Sequence, residues 1–171
     1  MRVAALAVAV CAVSGRAWAM DITSPDLKPG APIPAVHVYQ KCGGQNLSPA
    51  LAWTAPPAGA QSLVLTVIDI DAKPSFWSHW IVVGLPPAAG AIARGGQPPA
   101  GAHAVVGNFG DAWYDGPCPP VGSGVHHYRF TIWAMPSRAV SIGDNAPANE
   151  VVSMLQSTSI AHATIVGTAQ R

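Results

Sequence analysis

Charge is the scarcest resource in this sequence. Only 10% of its 171 residues are charged, and Lys and Arg (9) nearly balance Asp and Glu (8). That leaves no basic stripe for nucleic acid. Several signatures are missing as well. There is no HxH or HExxH spacing of the kind zinc sites use, no G-x-S-x-G nucleophile elbow, no cofactor motif and no internal repeat. Cysteine is rare, at 3 residues. No apolar run is long enough to cross a bilayer of about 30 Å, so the chain is not expected to span a membrane.

What is present begins with a separable leader. "MRVAALAVAVCAVSGRAWAM" has an early Arg2 and an apolar run from Val3 to Val13. It ends in Ala17-Trp18-Ala19, the small-x-small pattern of a cleavage site. Residues 1–19 therefore read as a cleaved secretory signal and residues 20–171 as one domain, periplasmic or secreted. A lipoprotein reading through Cys11 is disfavoured because Val10 stands where a small residue is needed. Removal of the leader leaves Cys42 and Cys118 in a compartment where disulfides persist. Joined, they would close a long loop worth about 4 kcal/mol. The alternative is two separate buried thiols, and spacing does not choose between them.

With 17 Gly and 17 Pro, the mature chain is rich in turns. Three segments read as strong strands: 62–69 (SLVLTVID), 77–84 (WSHWIVVG) and 128–135 (YRFTIWAM). Weaker strands are expected at 36–40, at the end of 46–53, near 104–110 and at 164–170. One helix is expected over 144–161, with Asp144 or Asn145 as its cap, Pro147 in the first turn and Glu150 complementing the N-terminal dipole. Strands joined by irregular crossovers, with one late helix, predict a mainly antiparallel β architecture.

Polar chemistry collects at the ends of these strands. Asp69 and Asp71 share a face if the strand continues through them, or else mark a polar strand end entering solvent. His79 lies within an apolar strand with Trp77 on its face; it is either a core histidine or part of a site. His126 and Tyr128 share the next face, and His127 alternates away. A metal site lacks short-spaced ligands. A hydrolase lacks a recognisable nucleophile, since Gly122-Ser123-Gly124 reads as a plain loop. A small-anion site uses every part: imidazole and phenol donors, a carboxylate that fixes a histidine tautomer, and a turn stiffened by Pro119 and Pro120.

"LTVIDIDAKPSFWSHWIVVGLP" and "YDGPCPPVGSGVHHYRFTIWAM" resemble the two signature regions of the phosphatidylethanolamine-binding protein family, in particular its bacterial branch, often called Raf kinase inhibitor-like proteins. "CGGQNLSPALAWTAPPAGAQSLVLTV" is similar to the segment that precedes them. The resemblance implies a mainly β fold, an antiparallel β-sandwich with one helix near the C-terminus. It also implies a small pocket for phosphate or a phospholipid headgroup such as phosphoethanolamine. By motif the pocket residues are Asp69, Asp71, Trp77, His79, Gly116, Pro119, Pro120, His126 and Tyr128. Cys42 and Cys118 both fall in segments near that pocket, so a bridge between them is expected. Three places depart from the family pattern: Ile70 replaces a proline with Lys73 before Pro74, Gly43-Gly44 lacks an acid, and Asn108-Phe109-Gly110 is one residue short. The expected function is a non-enzymatic exported binding or modulator protein with no cofactor. A secreted protease inhibitor and a weak hydrolase are the alternatives.

Overall fold

The run Ser62–Asp69 (β3) is buried at every position. A strand apolar on both faces has to lie inside a sheet that is covered on both sides. That is its place: β3 lies between Trp77–Leu85 (β4) and His126–Met135 (β7), with His103–Ala104 (β6) and Ala161–Ala169 (β8) outside them. Every pairing in this five-stranded sheet is antiparallel. Ile22–Thr23 (β1), Leu51–Trp53 (β2) and Ala91–Ile92 (β5) form a second, three-stranded antiparallel sheet. The computed structural model describes residues 20–171, so the leader expected over 1–19 lies outside the described residues.

Strand alternation sorts the core into two layers. Leu63, Leu65, Val67, Phe130 and Ile132 face the small sheet and pack with Ile22, Leu51, Trp53 and Ile92. Val64, Ile81, Trp133 and Met135 face the other way, beneath Val151 and Leu155 of the helix Ala148–Thr158 (α1). Each such side chain contributes about 1.5–3 kcal/mol when fully buried. The one indole that points into the helical layer, Trp133, donates its N–H to Thr66 Oγ1 at 2.9 Å. The expected sandwich with a late helix is the observed architecture. No helix among the described residues is long and apolar enough to cross a membrane.

Four local expectations are corrected. Residues 36–40 are not a strand; the segment forms two 3-10 turns, Ala35–His37 and Gln40–Cys42. The backbone at Gly116 crosses so close to this segment that a Cβ there would meet His37 O at 2.0 Å, and the buried His37 ring pairs with Leu47 O at 2.8 Å. Tertiary contact overrides the β-branched pattern. The strand expected near 104–110 shrinks to His103–Ala104, because the residues that follow turn toward β4. The helix is shorter than expected, and neither Asp144 nor Asn145 caps it: Pro147 holds the N-cap position. Asp144 Oδ1 instead accepts the N–H of Val106 at 3.0 Å, and Asn145 donates its N–H to Val106 O at 2.8 Å.

One irregularity in β4 shapes everything that follows. Val67 pairs with Trp80, but the next residue, Ile68, pairs with Ser78, which leaves His79 as an extra residue in β4. A bulge places two consecutive side chains on nearly the same side. Trp80 joins the inter-sheet core, and His79 is turned to the same side, toward the end of the sheet where Asp69 and Tyr128 stand opposite each other.

Candidate functional site

Beyond the ends of β3, β4 and β7 the inter-sheet space opens into a cavity of about 520 Å³, of a size typical for small-ligand sites. Asp69, Asp71, Trp77, His79, Pro119, Pro120, His126 and Tyr128 all line it. Gly116, grouped with them from the sequence, does not. Its N–H is held by Asn46 Oδ1 at 2.7 Å, and the closeness of residues 37–39 is what demands glycine there. Tyr39, Lys41, Lys73, Phe109 and Ser123 line the cavity although residue-level reading did not select them.

Asp69 does not offer its carboxylate to the cavity. Oδ1 accepts the backbone N–H groups of Asp71 (2.9 Å) and Ala72 (3.1 Å), closing the turn after β3. Oδ2 lies 2.7 Å from His126 Nδ1, and both side chains are buried. The carboxylate thus fixes the imidazole with its proton on Nδ1 and its Nε2 toward the 116–125 loop. There Nε2 lies 2.9 Å from Ser123 Oγ. Asp71 follows a different rule. The chain turns after Asp69, and Asp71 Oδ2 accepts from both the N–H (2.7 Å) and Nδ1 (2.8 Å) of His127, on the outer face of β7. Burial pushes the Asp71 carboxyl up, but these bonds outweigh it and hold it below its usual range.

His79 is buried, and its Nδ1 donates to Asp115 O at 2.7 Å. A carbonyl only accepts, so the proton is on Nδ1 and Nε2 is left as an acceptor. Burial drives the ring's pKa down to about 4, so it is neutral at physiological pH. The sequence reading expects both imidazoles to donate to a ligand; in the structure the Nδ1 proton of His79 goes to Asp115 O and that of His126 to Asp69, which leaves Nε2 as the free nitrogen of each ring. Tyr128 is the complementary case. Its hydroxyl is buried and has no hydrogen-bond partner among the described residues. Burial first, then the nearby Asp69 carboxylate, pushes its ionisation well above the usual phenol range, so it remains an O–H donor.

The walls are built by cross-links. Cys42 and Cys118 are joined as a disulfide with a Cα–Cα distance of 5.7 Å. It ties the turn bearing Tyr39 and Lys41 to the Pro119-Pro120 wall. Arg171, at the far end of the chain, receives the N–H of Gly122 on its carbonyl at 3.0 Å. Opposite, Ser78 and Asn108 exchange three hydrogen bonds of 2.7–3.0 Å and hold Phe109 in place. Phe109 touches Tyr39 (ring centroids 5.0 Å), His79 (5.1 Å) and Trp77 (5.9 Å), which gives the cavity one aromatic side. Asn46 clamps the strand-like segment behind, donating to Tyr114 O at 3.2 Å and Asp115 Oδ1 at 3.1 Å. Phe109 was within reach of the sequence through its Asn108-Phe109-Gly110 motif. Tyr39 was hidden in an apparent strand, and Ser123 in an apparent plain loop.

Residues 23–170 match the phosphatidylethanolamine-binding protein family. The chain is similar to YbcL of Escherichia coli, at 36% identity over 161 residues covering 89% of this chain and 88% of the relative. It is also similar to LppC of Mycobacterium tuberculosis, whose name assigns it provisionally to the lipoproteins, at 42% identity over 149 residues covering 87% of this chain and 71% of that one. Two solved structures share the fold. The crystal structure of Escherichia coli YbcL, described as a new member of the mammalian PEBP family, matches with a TM-score of 0.81 at 34% identity, over 89% of this chain and 98% of that chain. CT736 of Chlamydia trachomatis matches with a TM-score of 0.73 at 32% identity, over 90% of this chain and 98% of that chain.

Proposed function

The chain belongs to the phosphatidylethanolamine-binding protein family, and on that premise we propose that it is an exported binding protein whose cavity takes a small phosphate-bearing anion, with phosphoethanolamine as the fitting headgroup. The observation that carries this reading is the Tyr128 hydroxyl. It is buried without a hydrogen-bond partner among the described residues, in a cavity that also presents His126. A buried hydroxyl without a partner costs about 1–3 kcal/mol, a cost that an anionic oxygen removes. Lys41 and Lys73 line the same cavity, and neither is in an ion pair among the described residues. Of the two carboxylates nearby, Asp69 is engaged by His126 and two backbone N–H groups and Asp71 Oδ2 by His127, which leaves the lysines as the charged donors toward a ligand.

The other half of the cavity suits an ammonium group. Trp77, Phe109 and Tyr39 supply aromatic faces and edges, and neutral His79 retains an acceptor nitrogen. A zwitterion of phosphate and ammonium uses both halves; free phosphate uses one. Export is supported by the leader pattern, by the disulfide and by the lipoprotein name of a relative. Protein purified from its native host should begin at Met20 or within a residue or two. A mature form that retains Met1 contradicts export.

Titration calorimetry with phosphoethanolamine, inorganic phosphate and ethanolamine tests the ligand class. Both phosphate-bearing compounds should bind, phosphoethanolamine more tightly, and ethanolamine should not bind measurably. Ethanolamine binding as well as phosphoethanolamine, or heat from none of the three, removes the anion reading.

A further inference from the structure

We propose that Ser123, His126 and Asp69 form a nucleophilic triad, and that the cavity hydrolyses small carboxylic esters through an acyl group carried on Ser123. The geometry is complete. Ser123 Oγ is 2.9 Å from His126 Nε2, and His126 Nδ1 is 2.7 Å from Asp69 Oδ2. A triad is identified by these contacts and roles rather than by a sequence elbow, so the absence of G-x-S-x-G does not exclude it. Asp69 is itself held by two backbone N–H groups, as an orienting carboxylate must be. All three side chains line one cavity, with Asp69 and His126 buried and Ser123 exposed, where a substrate can approach.

Proton accounting favours the reactive arrangement. The Ser123 hydroxyl has two acceptors within reach, Pro120 O at 2.7 Å and His126 Nε2 at 2.9 Å. Pro120 O already receives the Ser123 backbone N–H at 3.1 Å. Turning the hydroxyl proton to His126 therefore strands no acceptor. The next residue, Gly124, has φ +90°. Its N–H donates to no acceptor among the described residues, and in other hydrolase folds the residue after a nucleophilic serine supplies an oxyanion donor.

The reaction balances with water alone. Oγ bonds to the ester carbonyl carbon as Nε2 takes the hydroxyl proton, and the carbonyl electron pair moves onto oxygen. Collapse breaks the bond to the alcohol oxygen, which leaves with the proton from Nε2. A water molecule then loses a proton to Nε2 and attacks the acyl carbon. The carboxylic acid departs, and Ser123 regains its proton. The aromatic side of the cavity and its modest volume suit a short acyl group. This activity shares the cavity with the anion reading and does not depend on an anion binding there.

A fluorophosphonate probe followed by peptide mass mapping tests it, with p-nitrophenyl acetate turnover as the second readout. The expected result is one adduct per chain, located on Ser123, and loss of both labelling and turnover in Ser123→Ala. That substitution touches an exposed side chain bonded, among the described residues, only to Pro120 and His126, so the fold should survive, and a thermal melt checks it. His126→Ala should slow labelling roughly 100-fold or more, and Asp69→Asn should slow it on the same protein preparation without abolishing it. An unlabelled native protein, a label that persists in Ser123→Ala, or equal labelling rates in native protein and His126→Ala overturns the triad. Repeating the labelling with phosphoethanolamine separates the two readings: labelling at Ser123 without protection upholds the triad and counts against the anion site, whereas anion binding by calorimetry with no labelling does the reverse.

Discussion

His126 and His127 are consecutive residues, each facing an aspartate at nearly the same distance, 2.7 Å to Asp69 and 2.8 Å to Asp71. Nothing in the pairs themselves distinguishes them. Their surroundings do: side-chain exposures are 7% and 5% for the first pair against 47% and 40% for the second. Alternation along β7 sends one imidazole into the inter-sheet cavity and the other into water. The exposed pair is screened and contributes at most about 1 kcal/mol. In the buried pair the carboxylate orients a ring that has one nitrogen left for chemistry. A third carboxylate at the same end of the sheet completes the contrast. Asp115 is buried without a histidine or cation; burial, then the Asp111 carboxylate, pushes it up to about 6, with only the Asn46 amide opposing.

Removing the wall that keeps the first pair dry is the largest perturbation. The Cys42–Cys118 bridge spans a sequence separation of 76 residues, a loop for which chain entropy gives about 4 kcal/mol. Cys42→Ser/Cys118→Ser should lower stability in urea by about that amount and raise hydrogen exchange in 116–125. An unchanged urea midpoint would show that the wall stands without the bridge.

Next come the two aspartates. Asp69→Ala leaves His126 Nδ1 and two backbone N–H groups facing no acceptor in a buried site, and should cost about 3 kcal/mol. Asp71→Ala should cost under about 1 kcal/mol. Equal losses in urea denaturation would mean that burial does not separate the pairs.

Asp115 predicts a smaller effect with a pH signature. Its folded pKa, about 6, lies above the ordinary 3.8. A raised carboxyl favours the folded state below 3.8 and loses that advantage as pH rises through 6. Asp115→Asn should therefore stabilise the protein by about 1–2 kcal/mol at pH 7.5 and leave it unchanged at pH 3.5. His79 runs the other way. Its folded pKa, about 4, lies below 6.5, so it costs stability as pH falls from 6.5 to 4, and an acid melt of a His79→Gln variant should lack that part of the decline. Melting curves across pH check both signs.

Much of this contrast was legible in the sequence. The β-branched, apolar run 62–69 reads as a strong strand, and His126 and Tyr128 share a face by simple alternation while His127 does not. Resemblance located the cavity residues, and all but Gly116 line it. What escaped was set by tertiary geometry. The bulge at His79 depends on pairing register, which no local pattern encodes. Residues 36–40 have strand composition but are folded back against Gly116. Asp144 has the chemistry of a cap, yet its carboxylate is taken by Val106. Ser123 looked like loop filler because its partner, His126, is three residues away in sequence and is aimed at it only by Asp69 across the sheet.

The most direct measurement compares the neighbouring histidines. Calorimetry with phosphoethanolamine on native protein, His126→Ala and His127→Ala should show His126→Ala weakened by about 1.5–3 kcal/mol, roughly ten-fold or more, through loss of the ligand hydrogen bond at its Nε2. His127→Ala, whose ring is on the outer face with Asp71, should bind within about two-fold of native protein. Equal losses in the two variants, or no binding by the native protein, would contradict the assignment of the buried pair to ligand recognition.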